Sequence, residues 1–302
     1  MVNRTICTVV LLVMASVALA ATAAQKSFET PETGVAALAE ALRANDRTAL
    51  LAILGPHGGK LIDSGDVMAD GKRREAFLKA YDEANKLVYK GDANATLVLG
   101  KDEWPMPIPL VKARDGWQFD TRKGEKEILA RRIGRNELSA IKVCLAIVDA
   151  EREYAALDPD GDGVLEYTSK FMSAPGKHDG LYWPTASGEP LSPLGPLLAA
   201  ATKEGYAGAG AGPLAPYHGY FYRLLVQQGK DAPGGAYDYV VKGKMIGGFA
   251  VIAYPARYGA SGVMTFLVNH DGVVYEKNLG KDTAAIAARI KAFDPDASWK
   301  RP

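Results

Sequence analysis

Three aspartates at alternate positions, Asp158, Asp160 and Asp162, followed at once by Gly163, form the densest set of ligating groups in this 302-residue chain. They match positions one, three and five of a calcium-type loop, with glycine at the sharp sixth position. Calcium is a hard cation that takes several oxygens at roughly 2.3–2.6 Å, and carboxylates supply both the oxygens and the charge. Glu166 falls at the ninth position, and Ser169 stands at the twelfth, where such loops carry a bidentate acid. The pattern predicts either a Ca2+ site made by Asp158, Asp160, Asp162 and Glu166, or a polar turn that ends a helix.

Aromatic side chains make the second candidate set. Of the 14 tyrosines, twelve follow residue 150. Tyr182, Trp183, Tyr220, Tyr222, Tyr237 and Tyr239 are candidate contacts for an envelope protein or a glycan, since an aromatic ring offers an apolar face with a polar tip. Strand alternation puts Tyr217 and Phe221 on one face, and His218, Tyr220 and Tyr222 on the other. One of those faces must be core, so about two thirds of the rings are assigned to packing and the rest to contact.

Nucleophile and metal patterns are thin elsewhere. The four histidines, His57, His178, His218 and His270, show no i,i+4 pair, and no cysteine stands near them. His218, Asp271 and Ser261 have the residue types of a triad, but Ser261 lacks the strand–turn–helix setting that exposes a nucleophile. Cys144 lies among Val143, Leu145 and Ile147 and reads as an inert core thiol.

The start of the chain bears on its address. Arg4, the apolar run Ile6–Leu19, and small residues at Ala18, Ala20, Ala21 and Ala23 read as a secretory signal over residues 1–24. Cleavage there removes Arg4 and Cys7. It leaves 35 basic residues (36 less Arg4) against 35 acidic ones, with a single cysteine. A neutral chain without a basic cluster points away from nucleic acid, and no stable membrane anchor is expected in the mature chain.

The elements that must position these groups follow from caps and periodicity. Thr30 caps a helix that begins at Pro31, and Asp46 caps another through Leu54. Phe77, Leu78, Tyr81, Ala84 and Leu87 predict a third helix over Gly71–Tyr89. Strands are predicted at Ala95–Leu99, at Met106–Ala113 (bent by Pro107 and Pro109) and at Trp117–Thr121. From Lys123 a helix of over thirty residues begins, with Gly134 as its expected joint.

Leu138, Ile141, Leu145 and Val148 mark the buried stripe of that helix. Glu137, Lys142, Asp149, Glu151, Arg152 and Glu153 are assigned to a solvated face. Ala207–Gly212 reads as a flexible loop. Strands then follow at His218–Val226, Tyr237–Val241, Met245–Tyr254, Val263–Val268 and Val273–Lys277, and a helix capped by Asp282 closes the chain.

Several phrases carry a resemblance: Arg132-Ile-Gly-Arg-Asn-Glu137, Asp160-Gly-Asp-Gly-Val-Leu-Glu-Tyr167, Gly180-Leu-Tyr-Trp-Pro184, Pro216-Tyr-His-Gly-Tyr220, Gly234-Gly-Ala-Tyr-Asp-Tyr239 and Thr265–Tyr275. Together they resemble the domain-of-unknown-function 2950 family of exported bacterial proteins, which implies a location and no established activity. The helix around Asn136–Tyr154, with Gly248–Pro255 and Gly262–Phe266, is similar to the spine and sheet of type IV pilin-like heads, although no hydrophobic half-helix precedes it. The earlier helices, with Asp115-Gly-Trp-Gln-Phe-Asp120, resemble the cone-shaped folds of the nuclear transport factor 2 type.

The reading is therefore an α+β protein in three parts: a signal peptide at 1–24, an N-terminal α+β domain at 25–133, and a pilin-head-like α+β domain at 134–302. The expected role is that of an exported, periplasmic or secreted, non-enzymatic envelope protein, binding or assembling through its tyrosine-rich C-terminal half. The alternatives are an enzyme or small-ligand carrier with an N-terminal pocket lined by Trp104, Trp117 and Phe77, and a calcium-stabilised structural module.

Overall fold

A computed structural model describes residues 25–206 and 215–302. The expected signal segment 1–24 and the expected loop Ala207–Gly212 lie outside the described residues. The architecture is α+β, with all sheet pairing antiparallel. Buried apolar side chains fall into two clusters, one from Phe28 to Phe119 and one from Ala140 to Trp299.

The first cluster is built by helices α1 (Pro31–Arg43), α2 (Arg47–Leu54), α3 (Gly59–Ile62) and α4 (Val67–Glu83). They precede strands β1 (Asn85–Tyr89), β2 (Asn94–Leu99), β3 (Trp104–Pro105), β4 (Leu110–Ala113) and β5 (Gly116–Phe119). Thr30 and Asp46 cap as their types predict: Thr30 Oγ1 accepts from the Thr33 amide at 3.2 Å, and Asp46 Oδ1 from the Ala49 amide at 3.0 Å. Val35, Leu38, Leu50 and Ile53 pack on Leu97, Leu99, Leu110 and Phe119, each worth roughly 1.5–3 kcal/mol of burial.

Two expectations fail here. The third helix stops at Glu83, because Asn85–Tyr89 pairs along β2 from Asn85↔Leu99 to Tyr89↔Ala95. Apolar residues at Phe77, Tyr81, Ala84 and Leu87 fit a helical period, but Val88 and Tyr89 favour strand and the pairing decides. Met106–Ala113 is likewise not one strand. Pro107 and Pro109 lack the amides a ladder needs, so β3 and β4 each pair with β2 on either side of the break.

The second cluster centres on helix α5 (Thr121–Leu157), which packs on strands β9 (Ala250–Pro255) and β10 (Met264–Asn269). These belong to a four-stranded sheet ordered β11-β10-β9-β6, with β11 at Val274–Asn278 and β6 at Tyr220–Leu225. Helix α7 (Thr283–Arg289) also packs on β9, whose Ala250–Ala253 are fully buried on both faces. Helix α6 (Gly195–Lys203) and a two-stranded pair, β7 (Gln227–Gln228) with β8 (Tyr237–Asp238), complete the chain. The Asn269–Gly272 turn joins β10 to β11, the strands expected at Val263–Val268 and Val273–Lys277. The strand predicted at Tyr237–Val241 is shorter and pairs with β7, not with β9.

Helix α5 departs from expectation in register. It runs unbroken through Gly134, the expected joint. Leu138 and Leu145, expected to be buried, are 64% and 37% exposed. The face laid on the sheet is Ala140, Val143, Cys144, Ile147, Val148, Glu151 and Tyr154. Small side chains on both sides, Ala140 and Cys144 on the helix and Ala250 and Ala253 on β9, let the backbones approach closely, and close packing outranks the larger leucines. Among the described residues no helix is long and apolar enough to cross a membrane.

Candidate functional site

The acidic loop begins where α5 ends. Asp158 adopts a left-handed backbone (φ 46°) as the helix C-cap, a conformation that aspartate tolerates. Its Oδ2 accepts from the Gly163 amide at 3.0 Å, and Asp162 Oδ1 accepts from the Val164 amide at 2.9 Å. One carboxylate oxygen from each of Asp158, Asp160 and Asp162 lies within 4.8 Å of the others. Asp158 Oδ1 is buried without a hydrogen-bond partner. These are the residues that would hold Ca2+.

A cation from the protein itself already faces them. Lys244, in the turn Lys242–Lys244, places its Nζ 3.1 Å from Asp160 and 3.3 Å from Glu166, and it also pairs with Asp162. The Lys244 bond, then the Val164 amide, hold the Asp162 carboxyl below its usual range; the same acids, Asp162 first, raise the Lys244 ammonium. Three of the four proposed ligands are thus paired with one lysine, whose single charge leaves the cluster net negative. A divalent ion must displace it, with the free oxygen of Asp158 as the group gained.

The six aromatic candidates do not form one surface. Tyr220 and Tyr239 are fully buried and cannot touch a partner: Tyr220 donates to the Met264 carbonyl at 3.0 Å, and Tyr239 to Gln228 Oε1 at 3.0 Å. Tyr222 is half-buried, its phenol pushed up by burial, and donates to the Tyr217 carbonyl. Tyr237 is exposed and packs edge-on against Tyr239. Trp183 is half-buried with the His178 ring stacked on it at 4.3 Å. Tyr182 lines a half-open groove of about 540 Å³ between the Tyr182–Thr185 segment and α6, with Leu191, Ser192, Leu198 and Lys203 among its walls. The rings expected around an N-terminal pocket are dispersed: Trp117 and Phe77 pack into the first core, and Trp104 is exposed on β3.

No triad assembles from His218, Asp271 and Ser261. His218 Nε2 faces Glu204 at 3.5 Å, Ser261 is buried against the Arg257 backbone, and Asp271 bonds Asn269. His218 has a left-handed backbone (φ 51°), and burial holds its imidazole below the usual range, against the opposing charges of Glu204 and Asp66. Cys144 is fully buried and its thiol is raised to about 12 by desolvation, so it is inert, as its apolar neighbours predict. Glu151, expected on the solvated face, is fully buried instead. Its Oε2 accepts from the Thr168 amide at 3.1 Å, Oε1 has no partner, and desolvation raises the carboxyl to about 8.

The profile of a family described as "Protein of unknown function (DUF2950)" matches residues 25–301. The chain belongs to this family. No curated protein and no solved structure matches it.

Within this DUF2950 chain, the phrases that mark the resemblance have structural work. In Arg132–Glu137, Arg132 is buried and donates to the Lys60 and Leu61 carbonyls at 2.7 and 2.6 Å. Desolvation, then the nearby Arg73, lower its guanidinium to about 10. One turn on, Asn136 donates to the Ser261 carbonyl at 2.8 Å, and Glu137 accepts from the Val263 and Met264 amides at 2.9 Å.

In Pro216–Tyr220, the Gly219 amide donates to buried Asp66 at 2.7 Å, which also accepts from Tyr206 at 2.9 Å. A side chain at Gly219 (φ +78°) would stand 2.6 Å from Asn136 Nδ2, so glycine is required there. These buried polar groups were invisible to periodicity. The one cue to them was a charged or amide residue set in the family phrase beside an apolar helix face.

Proposed function

We propose that this DUF2950 protein is exported to the bacterial cell envelope and binds a partner there through its C-terminal half, with the groove beside Tyr182 as the contact site. Export is supported by the secretory pattern of residues 1–24. The groove is the observation that carries the binding role. It lies at the family phrase Gly180–Pro184, its volume falls in the ~300–1,000 Å³ range of ligand sites, and its walls mix an aromatic ring and leucines with a few polar groups. The long helix laid on an antiparallel sheet fits the likeness to pilin-like heads, and so supports an envelope setting.

The test is a photo-crosslinking residue placed at Ala199, which is exposed on the groove wall, with a control at the exposed Glu153 on α5. In living cells the periplasmic, processed protein crosslinks from Ala199 and not from Glu153. A protein retained in the cytosol with residues 1–24 attached, or equal crosslinking from both positions, defeats the reading.

A calcium-stabilised module is the second reading. It is favoured by the convergence of Asp158, Asp160 and Asp162 and by the unpartnered Asp158 oxygen, and opposed by Lys244.

A further inference from the structure

Building on the groove as the contact site, we infer that it takes the free C-terminal end of a peptide whose last side chain is aliphatic. The lining describes that ligand in three parts. Leu191, Leu198 and Pro184 form an apolar wall of the size a leucine or valine side chain covers. Ser192 contributes a hydroxyl from a residue 1% exposed, and its Oγ has no hydrogen-bond partner among the described residues. Lys203 is the single charged residue of the lining and makes no ion pair among the described residues. Its neighbour Glu204 is turned away to His218 and Tyr217.

A buried hydroxyl left unmet costs about 1–3 kcal/mol, which is regained when a ligand atom meets it. A serine hydroxyl both donates and accepts, as does a peptide amide. Gly195 keeps the floor open beside it. A side chain there would stand 3.3 Å from Ser192 Oγ and 3.1 Å from Leu191 Cβ. Leu191, more than half exposed, stands at the rim of the groove beside this floor. The ammonium of Lys203 faces the carboxylate as a point charge.

Amide, carboxylate and aliphatic side chain occur together at a peptide's last residue. A fatty acid has one carboxylate to serve both the hydroxyl and the ammonium, whereas a peptide end brings an amide for one and a carboxylate for the other; a neutral glycan leaves both the ammonium and the leucine wall unused.

The experiment titrates an acetylated tetrapeptide ending in leucine into the mature full-length protein, as the free acid and as its C-terminal amide, with octanoate as a third probe. The acid binds about tenfold more tightly than the amide, and Lys203→Gln erases that difference. Ser192→Ala weakens the acid by about tenfold while leaving the unliganded melting temperature unchanged or higher, a pattern that loss of structure does not give.

Equal affinity for acid and amide, octanoate binding as tight as the peptide, or an unchanged acid–amide ratio in Lys203→Gln each overturns the inference. If no peptide binds while Ala199 still crosslinks in cells, the ligand class is wrong and the groove reading survives. If both fail, both fall.

Discussion

Glu151 sits among apolar side chains on the sheet-facing side of α5, with one oxygen bonded to the Thr168 amide and the other bonded to nothing. Its carboxyl is raised from 4.5 to about 8, so the fold prefers the protonated form. The contribution to stability is therefore complete below about pH 4.5 and is lost as pH climbs through about 8. Glu151→Gln removes the titration. It stabilises the protein by roughly 3–5 kcal/mol at about pH 9 and leaves it nearly unchanged at about pH 5. Thermal melts of both proteins at the two pH values check this, and an equal shift at both would exclude a titrating carboxyl.

The sequence hides this residue because Asp149, Arg152 and Glu153 beside it are solvated, and a charge surrounded by charges reads as surface. Cys144 was legible for the opposite reason, since its neighbours are apolar. The acidic loop was legible as a cluster. Its paired lysine was not, because Lys244 lies in a turn 82 positions away from Asp162.

At the scale of elements, α5 offers a matched pair of glycines. A side chain at Gly124 would stand 2.6 Å from the Pro107 carbonyl oxygen and 2.7 Å from Ile108 Cγ1, whereas at Gly134 it would meet nothing within 4 Å. Gly134→Ala therefore stabilises by up to about 1 kcal/mol through helix propensity. Gly124→Ala forces the helix away from the Pro107–Ile108 segment between β3 and β4 and destabilises by about 1–3 kcal/mol. Chemical denaturation of the two variants gives opposite signs; a loss on Gly134→Ala would show that the helix bends there.

The acidic loop makes a second prediction at this scale. Removing the resident cation by Lys244→Gln lets calcium raise the melting temperature by more than it does in the parent, because the ion no longer competes with an ammonium. Melts with calcium and with chelator decide it, and no calcium effect in the variant rules out the site.

Asp282 takes its expected cap position without a side-chain bond, whereas the caps at Thr30 and Asp46 could be read locally, because their chemistry acts within four residues. Asn85–Tyr89 could not, because its strand state comes from pairing with Asn94–Leu99. Leu138 misled in the same way. Which stripe of a helix is covered depends on the sheet that meets it.

Across the whole molecule, the two cores meet at buried polar contacts. Arg132 bonds the Lys60–Leu61 backbone, and Asp66 bonds Tyr206 and Gly219. Arg257 adds an ion pair to Asp63 at 2.7 Å. Arg132→Met leaves two carbonyls without their donor and costs about 2–4 kcal/mol. Since each core keeps its own apolar cluster, the variant unfolds in two steps where the parent unfolds in one. Calorimetry with hydrogen exchange on β2 and β9 follows each core separately. A single transition in Arg132→Met would mean that the cores are coupled by more than this junction.

One rigid rod carries anchors for both cores: Arg132 grips the 60–61 backbone, and Asn136 and Glu137 grip residues 261–264, within six residues of the same helix. An α-helix turns by about 100° and climbs about 1.5 Å per residue. Inserting or deleting a single residue between Arg132 and Asn136 would therefore swing one set of anchors away from its target while the other stayed bound. Length variation within the family should accordingly collect in exposed loops such as Ala186–Pro190 and be barred from this stretch of α5, whatever amino acids occupy it.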